Sequence, residues 1–148
     1  MKVYLGADHA GFEFKENLKN FLQEKGYEVE DCGAFELNPI DDYPDFIAPA
    51  ARKVAETPGS FGIVLGKSGA GECIVANKIK GIRAFLGISE QNVRLAREHN
   101  DANVISFGSE LVDFEKAKQL VELFLTTPFS NEDRHIRRIE KIRNLENA

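Results

Sequence analysis

One segment of the chain places a carboxylate and a hydroxyl beside a glycine-rich turn. Residues 61–72 read FGIVLGKSGAGE, and the apolar run 63–65 predicts a buried parallel strand that ends at this turn. The turn carries three glycines, Gly66, Gly69 and Gly71. Glycines let a backbone approach a ligand closely, and the free N–H groups at a helix start favour anions. With Glu72 as a candidate general base and Ser68 beside it, the segment predicts proton abstraction next to a carbonyl, the N–H groups holding the enediolate.

Two common nucleotide-binding motifs do not describe this turn. A Walker loop reads G-x-x-x-x-G-K-S/T, and Gly66-Lys67-Ser68 matches only its ending. The dinucleotide motif G-x-G-x-x-G differs as well, because the three glycines here are spaced G-x-x-G-x-G. Taken alone, the turn favours a generic phosphate or nucleotide loop, or a purely structural turn, over a proton-transfer site.

Composition bounds the class of protein. The chain has 148 residues, 43% hydrophobic and 29% charged, which fits one folded domain over residues 1–148. Its net charge of −5 gives no reason to expect nucleic acid or an anionic membrane as a partner. No apolar run is long enough to cross a bilayer, and the start lacks the pattern of a signal peptide. Cys32 and Cys73 form neither a disulfide framework nor a metal-ligand spacing, and they suit a reducing compartment, so we expect a cytoplasmic protein. No cofactor is expected.

Strand and helix patterns alternate along the whole chain. The predicted strands are 3–6, 27–31, 63–65, 82–88 and 104–107. The predicted helices are 12–25, 48–55, 72–79, 90–98, 114–125 and 133–145. Alternation of this kind predicts an α/β fold, a three-layer α/β/α sandwich around a five-stranded parallel, Rossmann-like sheet.

In such sheets, ligands bind outside the carboxyl ends of the strands. Polar residues that directly follow strands therefore carry the most weight. They are Asp8 and His9 after the first strand, 67–72 after the third, and Ser109 and Glu110 after the fifth. The longest irregular stretch, 38–44, is expected to form a wall of the site.

Several separated motifs occur in a fixed order along nearly the whole chain. They are GADHAGF at 6–12, DYPD at 42–45, GKSGAGE at 66–72, ANK at 76–78, GIR at 81–83, EHNDAN at 98–103 and RHxxR at 134–138. With these motifs, the chain resembles the ribose-5-phosphate isomerase B family, which also includes galactose- and allose-6-phosphate isomerases. The resemblance implies metal-free interconversion of an aldose phosphate and its ketose through an enediolate, with ribose 5-phosphate and ribulose 5-phosphate as the expected pair.

The resemblance also assigns the base. One branch of the family carries a cysteine at the end of the third strand, and the other uses a glutamate at the start of the next helix. Here Gly66 stands at the cysteine position and Glu72 matches the glutamate. Cys73 is a less suitable base, because consecutive helical residues point about 100° apart. We expect Cys73 to be a small core residue. The alternative for Glu72 is a carboxylate stabilised by the helix dipole.

Further roles follow from the same resemblance. Ser68 and the N–H groups of Gly69, Ala70 and Gly71 would hold the oxyanion, although Ser68 also suits an ordinary helix cap. His99 would open the furanose ring, with Asn100 beside it to bind oxygen. Asp8 would bind sugar hydroxyls and Tyr43 would line the pocket. The alternatives are a C-terminal dipole partner for His99, a turn cap for Asp8 and simple loop packing for Tyr43.

A phosphate clamp is expected on the last predicted helix, 133–145. Arg134 and Arg138 are four residues apart and hence share a face, opposite an isoleucine stripe. The alternative is a solvated helix face. His9 and His135 are further candidates for the phosphate or hydroxyl shell. One position departs from many relatives, which have an arginine where this chain has Glu110. Either Lys67 compensates, or the substrate differs, or Glu110 turns outward or meets Arg134 or Arg138.

The resemblance implies a homodimer, in some relatives paired further into a tetramer, with sites at the subunit interface. His99 of one chain would then face Glu72 of the other. Three rival functions stay open at this point: a hexose-6-phosphate isomerase, a sugar-phosphate-binding module without catalysis, and a flavodoxin-like or receiver-type signalling domain. The receiver is disfavoured, since Gly66 stands where its phosphoacceptor aspartate is expected.

Overall fold

The computed structural model describes all 148 residues and contains one five-stranded sheet in which every neighbouring pair is parallel. The strands are β1 (Lys2–Ala7), β2 (Glu28–Asp31), β3 (Phe61–Gly66), β4 (Ala84–Leu86) and β5 (Val104–Gly108). Their order across the sheet is β2-β1-β3-β5-β4, so β3 is central and β2 and β4 are the edges. The predicted parallel sheet is confirmed.

Six helices complete the chain. They are α1 (Phe12–Glu24), α2 (Pro44–Glu56), α3 (Ala70–Asn77), α4 (Glu90–Asn100), α5 (Phe114–Thr126) and α6 (Asp133–Glu146). Buried side chains of α1, α4 and α5 pack on one face of the sheet, and those of α2 and α3 pack on the other. The last helix, α6, packs against α4. The three-layer α/β/α sandwich of Rossmann-like type is therefore confirmed.

The core follows from the two-residue period of the strands. Leu5 and Ile63 point to the face covered by α1, α4 and α5, whereas Tyr4 and Val64 point to the face covered by α2 and α3. All four side chains are buried. Burial of one large apolar side chain stabilises a fold by about 1.5–3 kcal/mol, so both faces hold the central strands in place.

Most predicted boundaries lie within two residues of those observed, and two elements illustrate the differences. The second helix begins at Pro44, earlier than residue 48, because proline suits the first helical position, where no intrahelical N–H bond is lost. The fourth strand spans only Ala84–Leu86 instead of 82–88. Before it, the side-chain oxygens of Asn103 and Asn77 accept hydrogen bonds from the N–H groups of Arg83 and Ala84, at 2.8 Å each, in place of a neighbouring strand.

A buried ion pair fastens α1 to the end of β2. Lys15 is fully buried, and its Nζ donates to both carboxylate oxygens of Asp31 at 2.9 and 2.7 Å and to Glu16 at 2.9 Å. Asp31 also accepts the N–H of Gly33 at 2.9 Å. Burial opposes ionisation of Asp31, but the bonds from Lys15 and Gly33 outweigh it and lower its pKa. The pair fixes the start of the loop that leads to α2.

Replacing Lys15 by methionine should destabilise the protein by about 3 kcal/mol, since it leaves the buried Asp31 without its main partner. Urea unfolding at neutral pH measures this loss. The control is Lys19→Met, which removes a partly exposed contact to Asp31 and should cost less than about 1 kcal/mol. The difference in unfolding free energy between Lys15→Met and wild type should decrease as the pH falls below the ordinary pKa of aspartate. The pKa of Asp31 is lowered in the folded state, so protonation of Asp31 at low pH removes the advantage of the ion pair. Equal losses in both variants would contradict this account.

Candidate active site

The turn between β3 and α3 is tied to the neighbouring strand. The Ser109 N–H donates to the carbonyl of Gly66 at 2.8 Å, and the Ser106 hydroxyl donates to the carbonyl of Gly69 at 2.7 Å. Gly69 has a φ of 79°, in the left-handed region that favours glycine. A Cβ there would also lie 2.8 Å from Leu86. The turn is therefore held rigidly at the carboxyl edge of the sheet, with the first N–H groups of α3 beside it.

The carboxyl group of Glu72 lies against the bare Cα of Gly66. A Cβ built on Gly66 would overlap the carboxyl carbon and both oxygens of Glu72, so any other residue there would displace the carboxyl group from this position. Glu72 is 4% exposed. Burial raises its pKa and the charge of Asp8 raises it further, while N–H groups of Glu72 and Gly69 act in the opposite direction. A desolvated carboxylate at this edge of the sheet is a stronger base than an exposed one.

Asp8 and Tyr43 border the same space. Asp8 is buried and accepts the N–H groups of Ala10 and Gly11 at 3.0 and 3.2 Å, which is the turn-capping role weighed above. Tyr43 directly precedes α2, and a Cβ on Gly71 would lie 2.7 Å from its ring and 2.8 Å from its hydroxyl. Tyr43 therefore lies on the first turn of α3 and forms a wall beside Glu72.

Ser68 is exposed on the turn, as is Ala70 after it. Its hydroxyl oxygen accepts the Ala70 N–H at 3.2 Å, but Ser68 is not the helix cap, because Gly69 holds that position without a side-chain bond. A hydroxyl that accepts one bond still has its own proton to donate. The same atom can thus support the turn and donate to a ligand oxygen.

Cys73 is half-buried, and burial together with the charge of Glu72 raises its pKa. A raised pKa lowers the fraction of thiolate, the reactive form. The environment of Cys73 therefore suits a packing role and disfavours a base.

The position of Glu110 has a simple geometry. Its carboxylate lies 3.9 Å from the Lys67 ammonium, and both side chains are exposed. Glu110 therefore faces Lys67, and not Arg134 or Arg138. The two charges offset one another at the rim of the turn.

The remaining candidates form a second cluster around the end of α4 and the start of α6. The rings of His99 and His135 stack at 4.3 Å with an interplanar angle of 33°. His135 is buried, and the Ser130 hydroxyl lies 2.7 Å from its Nδ1. Burial lowers the pKa of His135, and His99, Arg134 and Arg138 lower it further. The neutral form of His135 is therefore favoured, and the exposed Arg134 and Arg138 lie near it on α6.

These two clusters lie at opposite ends of the strands, one at the carboxyl ends (the carboxyl edge) and the other at the amino ends (the amino edge). Helices that follow parallel strands run back along them, so α3 begins at the carboxyl edge and α4 ends at the amino edge. The charged neighbours differ accordingly, because Asp8 acts on Glu72 whereas His99 and the α6 arginines act on His135. The six residues of β3 separate the carboxyl and amino ends of the sheet by about 20 Å. One chain brings together Asp8, His9, Tyr43 and 67–72, and separately His99, Asn100, Arg134, His135 and Arg138.

Sequence reasoning missed Asp41. Its carboxylate lies 2.7 Å from Nδ1 of His9 and accepts the His9 N–H at 3.1 Å. Asp8, His9 and Asp41 each offer one potential ligand atom, and these atoms lie within 4.8 Å of one another. The available signal was weak: Asp41 is an acidic residue in the predicted wall 38–44, directly before the DYPD motif.

Fold and site together define an α/β protein with a candidate ligand site beyond the carboxyl ends of a parallel sheet. The family model described as Ribose/Galactose Isomerase matches residues 3–142, and the chain belongs to this family. No helix is both long enough and apolar enough to span a membrane.

Named relatives cover almost the whole chain. Ribose-5-phosphate isomerase B of Mycobacterium tuberculosis is 49% identical over 140 residues, which span 95% of this chain and 86% of that protein. The solved structure of Clostridium thermocellum ribose-5-phosphate isomerase B superposes with a TM-score of 0.94 at 38% identity, covering 99% of this chain and 98% of the other. That of Mycoplasma genitalium ribose-5-phosphate isomerase B, with bound ribulose 5-phosphate, has a TM-score of 0.94 at 36% identity, covering 99% and 96%.

Substituting alanine for Gly66 should destabilise the protein by about 1–3 kcal/mol, because the new Cβ overlaps the Glu72 carboxyl group. In a Glu72→Ala background the same substitution should cost clearly less, since the overlapping group is gone. Chemical unfolding of both single variants and the double variant gives the coupling energy. Strictly additive losses would show that the two residues do not compete for this space.

Proposed function

We propose that this protein is an aldose–ketose isomerase that interconverts ribose 5-phosphate and ribulose 5-phosphate, with residues 1–148 as one catalytic domain. The observation that carries the proposal is the buried Glu72 carboxylate beside a turn lined with backbone N–H groups. The names of the relatives support this reaction, as does the ribulose 5-phosphate bound to the Mycoplasma genitalium protein.

In this mechanism Glu72 transfers the proton between two carbons. Its carboxylate removes the proton from C2 of the open-chain aldose, and the electron pair forms a C1–C2 double bond as the carbonyl oxygen becomes negative. The proton then returns to C1, and the proton of the C2 hydroxyl moves to the oxygen on C1, so no atom is gained or lost. The raised pKa of Glu72 brings it closer to neutral pH, where a general base works best.

The turn supplies the stabilisation of the enediolate. Gly69, Ala70 and Gly71 lie at the start of α3, where backbone N–H groups lack intrahelical partners. In the structure the Ala70 N–H donates to Ser68 and the Gly69 N–H acts on the Glu72 carboxylate. We propose that these N–H groups, that of Gly71 and the Ser68 hydroxyl donate instead to the negative oxygen as it forms. Because Ser106 and Ser109 tie the turn to β5, the donors need little rearrangement during the reaction.

A second copy of the chain would complete the site. Ring opening needs an acid or base near the sugar oxygen, and His99 with Asn100 is the candidate, but both lie about 20 Å from Glu72 in the same chain. An isologous homodimer would carry the α4 end of one subunit to the α3 start of the other. Arg134, Arg138 and His135 would arrive with it and bind the phosphate.

The surface supports such a dimer. Apolar side chains are exposed on α3, α4 and α6 and after the edge strand β4, and residues of these helices and of β4 also line one shared cavity. The exposed side chains include Ile74, Ile88, Leu95, Ile136, Ile142 and Leu145, with exposures from 39% for Ile136 to 75% for Leu145. Contiguous exposed apolar side chains mark an interaction surface. We also propose, as an extension of this dimer, that two dimers pair into a tetramer.

We further propose a cytoplasmic location. Both cysteines are free thiols, which suits a reducing compartment. Burial raises the pKa of Cys32 to about 11 and also raises that of Cys73, so both are poor nucleophiles.

Relative kcat/KM values test the substrate. Ribose 5-phosphate should be turned over with a higher kcat/KM than allose 6-phosphate or galactose 6-phosphate. A reversed order would make the protein a hexose-6-phosphate isomerase, for which the Lys67–Glu110 pair in place of an arginine is the motivating feature. Binding of all three sugars without turnover would instead indicate a sugar-phosphate-binding module.

Replacing Glu72 by glutamine should lower kcat by about a thousandfold, because the amide cannot accept the C2 proton. Its shape is nearly unchanged, so the circular dichroism spectrum and the melting temperature should stay close to those of wild type. Cys73→Ala is the matched control and should keep most of the activity. Loss of activity in Cys73→Ala with retention in Glu72→Gln would reverse the assignment of the base.

Mixed dimers test whether the site is shared between subunits. Glu72→Gln and His99→Asn should each be nearly inactive as pure proteins. Co-expressed at equal levels, they should recover about a quarter of wild-type activity, since about half the dimers are mixed and each has one intact site. If the mixture is no more active than its parents, His99 and Glu72 do not act across an interface.

A further inference from the structure

His9 is held in place by one carboxylate. Oδ1 of Asp41 accepts the backbone N–H of His9 at 3.1 Å and lies 2.7 Å from its Nδ1. Asp41 reaches His9 from a loop 32 residues further along the chain. Because both bonds go to the same oxygen, the backbone and the ring of His9 are oriented together.

Asp41 is nearly buried, with 6% of its side chain exposed. Its second oxygen, Oδ2, has neither solvent contact nor a hydrogen-bond partner. A buried carboxylate is costly unless a positive charge compensates it. The ring of His9 is the cation within hydrogen-bond distance, and it can compensate only when protonated.

The charges around His9 favour that protonated form. The bond to Asp41 raises the pKa of His9, burial lowers it, and the carboxylates of Asp8 and Asp41 raise it further by charge. Asp8 belongs to the same turn, and Asp41 belongs to the loop between β2 and α2. Both groups that face His9 are therefore negative.

Since Oδ1 of Asp41 accepts the hydrogen bond from Nδ1–H of the protonated ring, the Nε2–H of His9 is left as the free donor. The His9 side chain is 38% exposed at the carboxyl edge, where the Glu72 turn also lies. The other cation of this edge, Lys67, already faces Glu110. His9 is thus the oriented positive group that a ligand in this part of the site meets.

We propose that Asp41 is a positioning residue, which keeps His9 protonated and directs its Nε2–H to the phosphate of the bound sugar phosphate. This proposal rests on the proposed function, and it adds a residue that acts only through His9. An imidazolium binds a dianionic phosphate more strongly than it binds a neutral sugar hydroxyl, because its hydrogen bond to the phosphate is charge-assisted.

The test is Asp41→Asn, which keeps the shape and the accepting oxygen but removes the charge. The KM for ribose 5-phosphate should rise about tenfold while kcat stays within about twofold, since the lost bond serves ground state and transition state alike. The pH above which KM rises should also move down by about one unit. A purely structural loss would lower activity without moving that pH.

A substrate-free readout separates this proposal from the proposed function. The chain has three histidines, so the ring of His9 can be followed by NMR titration. His9 should titrate at lower pH in Asp41→Asn than in wild type, and inorganic phosphate should shift its ring signals more weakly. Unchanged titration would overturn the proposal even in an active isomerase, whereas the predicted shifts in a protein without isomerase activity would leave Asp41 assigned and refute only the reaction.

Two further variants complete the design. Glu36→Gln removes an exposed carboxylate from the same loop and should leave KM and the His9 titration unchanged. In His9→Gln, adding Asp41→Asn should raise KM no further, because Asp41 acts through His9. Additive effects would overturn the proposal. So would stimulation by added Mn²⁺ or Zn²⁺ that Asp41→Asn abolishes, which would assign Asp8, His9 and Asp41 to a cation.

Discussion

The contact between the Glu72 carboxyl group and the bare Cα of Gly66 is the constraint on which the rest of the site depends. The missing side chain at position 66 leaves room for the Glu72 carboxyl group at the end of the central strand, where burial raises the pKa of this proposed base. A side chain at position 66 would compete with the carboxyl group for this space, so a base at position 66 and a base at position 72 would be alternatives. The left-handed Gly69 and the hydrogen bond from Ser106 then fix the N–H groups around this base.

Parallel topology imposes the second requirement. It places the start of α3 and the end of α4 at opposite edges of the sheet, so a base on one and a histidine on the other cannot meet within one chain. Exposed apolar side chains on α3, α4 and α6 offer the surface through which a second copy would bring them together. In this account, catalysis and assembly depend on the same side of the molecule.

The parts of the structure that local patterns encode were predictable. Apolar periodicity gave the alternation of strands and helices, and the glycine-rich turn located Glu72 and Ser68. The pairing of Asp41 with His9 was not readable, because no local pattern links two residues that lie 32 positions apart. The fourth strand was predicted too long for a similar reason: the side chains of Asn77 and Asn103, which lie elsewhere in the chain, bind the backbone that a longer strand would have used.

Deuterium exchange at C2 of ribose 5-phosphate tests the central claim most directly. In D₂O, NMR should detect deuterium at C1 of the product formed by the wild-type protein, because a proton held on the Glu72 carboxylate exchanges with solvent in part of the turnovers. Isomerisation that takes up no deuterium and persists in Glu72→Gln would contradict the account, since hydrogen would then pass from C2 to C1 without Glu72.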